Sequence, residues 1–196
     1  MISLLLDSST KVLYVAIVRD EEVLFEKYIE GKNDHAKNIV ACINDGLNEL
    51  NLKVDNLDRI VIGNGPGSYT GVRMAVTVGK MMSVFKEIPL YTISTLKLIS
   101  SGYKGKVLVS IDARRGNAFS FVYDYDKNEA ILEEGLYSYE SLKEYEVDYT
   151  VNEEYKVNPV YCVNNSIIVN EPHLLVPNYL RDTEAERNLK WLEDID

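Results

Sequence analysis

An acid and three hydroxyls follow the first apolar segment of the chain. Asp7 is succeeded by Ser8, Ser9 and Thr10, and residues 1–6 have the apolar character of a short buried strand. A carboxylate and hydroxyls at a strand end can hold a metal ion or the phosphate of a nucleotide. The same four residues suit a hairpin turn in which Asp7 and Ser8 accept hydrogen bonds from backbone N–H groups. Both interpretations stay open on the sequence alone.

Nuclease chemistry fits this pattern less well. Two-metal catalysis needs a second acid at the end of the next central strand. Gly63 and Asn64 stand there, and neither carries a charge. The sequence therefore counts against a two-metal nuclease.

A glycine-rich turn follows that second strand, with the sequence GNGPGSYTGVR over Gly63–Arg73. N–H groups at a helix N-terminus suit an anion, so Gly65, Gly67 and Ser68 could join residues 7–10 in a phosphate loop. The glycine spacing matches neither GxxxxGK[ST] nor GxGxxG. On spacing alone, a tight turn with Ser68 or Thr70 as the helix cap is the favoured interpretation.

The helix predicted over Val72–Phe85 is apolar on two faces, whereas a surface helix has one apolar stripe. Either a second layer of the chain or another subunit must cover the extra face, and we expect a subunit. Methionine and small residues would let another helix approach closely. The faces comprise Val72, Ala75, Val76, Gly79 and Met82 on one side, and Met74, Val78, Met81 and Phe85 on the other.

Other chemistries find little support in the 196 residues. The two histidines, His35 and His173, form no metal-binding spacing, and a triad of Ser68 with His35 lacks the GxSxG turn. Cys42 and Cys162 are isolated, which suggests a reducing cytoplasm. A net charge of −10 argues against binding nucleic acid alone. No apolar run approaches the roughly 20 residues that span a bilayer.

Periodicity and turn residues predict an α/β chain with two successive lobes, an N-terminal one over residues 1–103 and a shortened one over 104–196. Asp34 is the expected cap of the first helix. Residues 146–176 show no sustained pattern. The predicted strands are Leu4–Asp7, Lys11–Val18, Val23–Ile29, Arg59–Gly63, Pro89–Ile93, Lys106–Ile111, Ala118–Tyr125 and Ile131–Tyr137. The first predicted helix has its apolar positions at Ile39, Ile43, Leu47 and Leu50, and the later ones are Val72–Phe85, Ser94–Ser101 and Tyr139–Tyr145.

These motifs together resemble the TsaB (YeaZ) family over about residues 1–125, with a short further match near the end. The elements that carry the resemblance are residues 7–10, His35, Gly65–Arg73, Asp112–Gly116 and the terminal Pro177–Arg181. The resemblance implies an actin-like (ASKHA) architecture of two ribonuclease-H-like lobes, each a mixed sheet flanked by helices. The second lobe is expected to be truncated, which puts any nucleotide site between the lobes in doubt.

The resemblance also implies a function. Members of the family pair with the catalytic subunit TsaD and the ATPase TsaE to attach threonylcarbamoyl to the adenosine beside the anticodon, in tRNAs that read codons starting with A. TsaD carries a metal-binding His-x-x-x-His, and Thr95 and Ile99 stand in its place here. The chain is therefore expected to be a non-catalytic scaffold, contacting tRNA only within the complex. The resemblance implies that this subunit needs no cofactor of its own and leaves any binding of ATP or ADP to the complex.

Pairing in this family, with TsaD or as a homodimer, uses the first two helices. The residues expected to form that surface are His35, Ile39, Tyr69, Arg73, Met74, Val78 and Met81. An alternative is an actin-like, ATP-dependent phosphotransferase or nucleotide-binding protein that uses Asp7 and the Gly65–Ser68 turn, with Arg114 and Arg115 in a second loop. A peptidase lacks a credible nucleophile and base.

Overall fold

The computed structural model describes residues 1–31, 35–152 and 155–180, and only the backbone of residues 35 and 36. Two mixed sheets flanked by helices make up this part of the chain, which confirms the predicted fold class. None of its helices is long and apolar enough to cross a membrane. The expected cap Asp34 and the terminal Arg181 lie outside the described residues.

The first sheet has six strands in the order β10-β5-β4-β1-β2-β3. Three strands form an antiparallel meander, and β4 and β5 then add parallel to β1. A parallel neighbour needs a crossover connection, which two helices provide. The bounds are β1 Ile2–Asp7, β2 Val12–Arg19, β3 Glu22–Glu30, α1 His35–Glu49, β4 Arg59–Gly63, α2 Tyr69–Lys86, β5 Leu90–Ile93 and α3 Thr95–Ser100.

The second sheet has four strands in the order β8-β7-β6-β9, with β9 parallel to β6 and the other pairs antiparallel. The β6–β7 hairpin turns through three residues with positive φ, Arg114, Arg115 and Gly116. The bounds are β6 Lys106–Asp112, β7 Asn117–Asp124, β8 Glu129–Ser138, α4 Tyr139–Leu142 and β9 Tyr149–Asn152.

The chain then returns to the first sheet, in the stretch that the sequence left unassigned. Helix α5, Pro159–Asn164, packs on β1, β2 and β3, and β10, Ile167–Ile168, pairs with β5. A single turn of 3-10 helix follows at Pro172–Leu174 and packs on α2. Residues from the predicted second lobe therefore complete the first sheet. The division of domains between residues 103 and 104 stays a prediction.

Alternating side chains of β1 sort the core into two layers. Leu4 and Leu6 point into an apolar layer beneath α1 and α2. Leu5 points the other way, into a cluster shared with the second sheet through Val109 and Phe121. Because β1 and β2 are covered on both faces, they are nearly continuous apolar runs rather than alternating.

Helix α2 begins three residues earlier than its apolar periodicity predicted. The Ser68 side chain caps it by accepting a hydrogen bond from the backbone N–H of Gly71, so the first turn includes Tyr69 and Thr70. The helix ends at Lys86, and its C-cap Glu87 adopts left-handed backbone. Its buried face is the first of the two predicted apolar faces.

Candidate protein-binding site

The Asp7 carboxylate is fully buried and accepts four hydrogen bonds. Oδ1 accepts from the Ser9 backbone N–H at 3.0 Å and from the Tyr155 hydroxyl at 2.7 Å. Oδ2 accepts from the hydroxyls of Ser9 at 2.9 Å and Thr95 at 2.8 Å. A buried carboxylate with these partners acts as a structural junction between β1, α3 and the segment after the second sheet.

The glycine-rich turn packs directly against residues 7–10. A side chain at Gly67 would meet the Ser9 carbonyl oxygen, and one at Gly71 would meet that of Ser8. The Ser68 N–H donates to the Ser9 carbonyl at 2.6 Å. The glycines are therefore needed for close approach of the chain to itself.

The structure brings the seven predicted phosphate-loop residues into one cluster: Asp7, Ser8, Ser9, Thr10, Gly65, Gly67 and Ser68. The N–H groups of Gly65 and Ser68, which a phosphate would need, donate within the chain to Thr95 Oγ1 and the Ser9 carbonyl. These contacts favour the tight-turn interpretation and do not fit a preformed phosphate cradle. The phosphate role stays a prediction.

Thr95 and Ile99, at the positions matched to TsaD's metal ligands, are both fully buried. Thr95 opens α3 and bonds Asp7, whereas Ile99 belongs to the core between the sheets. Among the described residues, no group of three or more His, Cys, Asp or Glu side chains is placed to hold a metal.

A groove of about 410 Å³ runs between α1 and α2. It contains five of the predicted interface residues, and Val40, Thr70 and Thr77 are added by the structure. A sixth, His35, is the first residue of α1, and its side chain lies outside the described residues. The lining residues are Ile39, Val40, Tyr69, Thr70, Arg73, Met74, Thr77 and Val78.

The outer surface of α2 continues the groove as an exposed apolar strip. Met81 is 54% exposed and Phe85 is 76% exposed, with Val84 beside them. Met74 and Val78 are only partly covered. The described part of the chain thus covers Met74 and Val78 only in part and leaves Met81 and Phe85 exposed, so this end of the second predicted apolar face is accessible to another protein.

Arg73, at one rim of the groove, contacts two tyrosines. The guanidinium carbon of Arg73 lies 4.1 Å from the centre of the Tyr69 ring. Its Nε–H donates to the Tyr179 hydroxyl at 2.8 Å, and the two tyrosine rings stack with centres 5.2 Å apart. The hydrogen bond to Tyr179 is the main cause that raises the pKa of Arg73.

Tyr179 is the contact that the sequence did not predict. It belonged to the terminal family motif, but no role followed from that motif. No local signal in the sequence points to it, because Arg73 and Tyr179 are 106 positions apart.

The two mixed sheets and the groove between α1 and α2 define an α/β protein with a candidate docking face. Comparison with known proteins gives its family. The family model described as "TsaD: tRNA N6-adenosine threonylcarbamoyltransferase" matches residues 23–161. The chain belongs to this family, and its resemblance to TsaB is confirmed by the curated relatives.

Two of these relatives are named tRNA threonylcarbamoyladenosine biosynthesis protein TsaB. The one from Bacillus subtilis strain 168 is 31% identical over 128 residues, which cover 64% of this chain and 56% of the relative. The one from Escherichia coli strain K12 is 29% identical over 131 residues, with the same two coverages. The chain thus matches little more than half the length of each.

The solved structure of YeaZ from Pseudomonas aeruginosa shares the fold. It superimposes with a TM-score of 0.75 over 91% of this chain and 99% of its own, at 19% identity. That identity supports the fold alone.

Proposed function

We propose that this chain is a non-catalytic scaffold subunit for threonylcarbamoyl modification of the tRNA adenosine beside the anticodon, in tRNAs that read codons starting with A. It would dock a TsaD-type catalytic subunit on the α1–α2 face and act together with a TsaE-type ATPase. The observation that carries the proposal is the groove between α1 and α2, continued by the exposed apolar strip of Met81, Val84 and Phe85. Exposed apolar surface of this kind marks protein interaction sites.

The charge of the chain supports a scaffold role rather than direct tRNA binding. With 31 acidic and 21 basic residues, the chain repels phosphate backbones. In the proposed complex, other subunits supply the tRNA-binding surface. The pathway is carried over from the names of the TsaB relatives, and a cytoplasmic location is part of the same proposal.

The absence of catalysis in this subunit is proposed from Thr95 and Ile99. The first is bonded to Asp7 and the second is packed in the core. Ile99 has no ligand atom and the Thr95 hydroxyl is already bonded within the chain, so these positions lack the two imidazoles of the TsaD motif. The phosphotransferase alternative would require Asp7 to reach a phosphate, and this carboxylate is buried and already paired.

The experiment is a reconstitution with the TsaD- and TsaE-type subunits of the same organism. Threonylcarbamoyl transfer to tRNA is measured with and without this chain, and binding to the TsaD-type subunit is measured by calorimetry. We expect Thr77→Arg and Met81→Arg to abolish both binding and activation, because a charge in an apolar interface core is left unpaired.

The matched control is Ile131→Arg. The exposed fraction of Ile131, 42%, is similar to the 54% of Met81, but Ile131 lies on β8 of the second sheet. It should bind and activate like the unmodified chain. Equal transfer by the TsaD-type subunit without this chain would refute the scaffold role. If the unmodified chain self-associates and the Met81→Arg variant does not, the same face would instead form a homodimer.

A further inference from the structure

Arg73 is the one charged side chain among the described residues that line the groove. The other lining residues are apolar or neutral, and the chain as a whole carries a charge of −10. We propose that Arg73 is an oriented cation for a carboxylate on the partner segment that fills the groove, and that Tyr179 is its positioning residue. This inference rests on the proposed function and specifies the chemistry of the docked partner.

The geometry holds the guanidinium in one place before any partner arrives. Its plane is supported by the Tyr69 ring at 4.1 Å, and its Nε–H is fixed by the Tyr179 hydroxyl at 2.8 Å. An unrestrained surface arginine loses side-chain entropy when it forms an ion pair, which cancels most of the gain. An arginine ordered in advance avoids that loss on binding.

The segment that carries Tyr179 is itself anchored along α2. The Asn178 N–H donates to the Asn64 carbonyl at 2.8 Å, and Lys80 Nζ donates to the Leu175 carbonyl at 3.0 Å. Gly65, with a φ of 101°, lets the Asn178 carbonyl pass where a side chain would otherwise stand. Tyr179 is therefore presented to Arg73 by a fixed strap, residues 175–179.

A carboxylate is the ligand that this arrangement suits. A guanidinium has five N–H donors in a planar fork, and the contact with Tyr179 uses only the one on Nε. The remaining donors can form a bidentate pair with a carboxylate. We therefore expect the partner segment to combine apolar side chains, which fill the groove, with an aspartate or glutamate at the rim. A second copy of this chain is disfavoured as the occupant because two copies of charge −10 repel each other.

The test measures the Kd for the TsaD-type subunit of the same organism with a double-mutant cycle. Arg73→Met should weaken binding about tenfold, with a smaller effect in about 0.5 M salt. Arg73→Lys should not restore affinity, because an ammonium lacks the planar fork. Tyr179→Phe, which keeps the ring stack, should weaken binding about threefold to fivefold in the unmodified chain and not at all in the Arg73→Met background.

The outcomes separate this inference from the proposed function. Equal weakening by Tyr179→Phe in both backgrounds would show that Tyr179 does not act through Arg73, and the inference would be overturned. The same conclusion follows if Arg73→Met and Tyr179→Phe leave the Kd unchanged while Met81→Arg abolishes binding. If Met81→Arg and Thr77→Arg also leave the Kd unchanged, the docking face itself is wrong.

Discussion

The Tyr155 hydroxyl donates a 2.7 Å hydrogen bond to Oδ1 of Asp7 and so joins residues 148 positions apart. Asp7 ends the first strand of the first sheet, whereas Tyr155 follows the last strand of the second. Tyr155 also accepts a hydrogen bond from the Thr10 hydroxyl at 3.0 Å. The bond therefore holds the returning chain against the buried carboxylate. The strap that carries Tyr179, residues 175–179, belongs to the same returning segment.

We predict that Tyr155→Phe lowers the free energy of unfolding by about 1–3 kcal/mol, because a buried carboxylate loses a charge-assisted hydrogen bond while the ring is retained. Urea denaturation monitored by circular dichroism measures this change. The control is Tyr149→Phe, since Tyr149 is 49% exposed and the change should stay within about 0.5 kcal/mol. Equal effects of the two variants would show that the Asp7 bond contributes no special stability.

The Ser8 carbonyl oxygen lies so close to Gly71 that no side chain fits at this position. Alanine at this helical position should favour α2 by about 1 kcal/mol from propensity alone. The added methyl group would collide with the Ser8 carbonyl, however, so we expect Gly71→Ala to destabilise the chain by about 2 kcal/mol or more.

Gly31→Ala is the matched control for Gly71→Ala, because nothing lies within 4 Å of the added methyl group and the backbone is not left-handed. Its midpoint of thermal unfolding should hardly change. A Gly71→Ala variant as stable as the unmodified chain would mean that the backbone of residues 7–10 shifts at little cost to accommodate the methyl group.

The sequence predicted the first sheet well because its strands are short apolar runs with turn residues between them. Arg59–Gly63 was predicted with the bounds that the structure has. The second face of α2 was also visible, since Met81 and Phe85 break the single stripe of an ordinary surface helix.

The return of the chain after β9 was not predictable from local pattern. Helix α5 has six residues, and β10 has two, Ile167 and Ile168, both exposed. Segments this short show no period, and their placement depends on contacts with residues more than 70 positions earlier, such as β10 with β5. The pairing of Tyr179 with Arg73, 106 positions apart, was hidden for the same reason.

The two thiols should be inert in the folded chain. Burial raises the pKa of Cys162 to about 12 and also raises that of Cys42 above its ordinary value. With a pKa of about 12, only about one Cys162 thiol in ten thousand is ionised at pH 8, and the thiolate is the reactive form. We expect neither cysteine to react with Ellman's reagent until urea unfolds the chain, when both react. Fast labelling of the native chain would contradict the buried placement of these thiols.

Glu134 should make the stability of the chain depend on pH. Burial raises the pKa of this carboxyl on β8 above its model-peptide value. The folded chain therefore binds this proton more tightly than the unfolded chain, and the contribution of Glu134 to stability falls as the pH rises from about 4.5 through the folded pKa. Glu134→Gln removes the titrating group. The free energy of unfolding at pH 7 minus that at pH 4.5 should therefore be larger in the variant than in the unmodified chain. Urea denaturation at the two pH values measures both free energies. The same difference in the variant and the unmodified chain would contradict the prediction.

Val78 and Met81 lie on the same face of α2, but arginine should affect them differently. Val78 is packed against the core layer beneath α1 and α2, whereas Met81 is 54% exposed. Val78→Arg should therefore cost about 1–3 kcal/mol of stability, because it removes apolar packing and places a charge at the edge of the core. Met81→Arg should change stability by less than about 0.5 kcal/mol while abolishing binding to the TsaD-type subunit. Parallel urea denaturation and calorimetry separate the two effects, and a Met81→Arg variant that unfolds as readily as Val78→Arg would show that this face is part of the core.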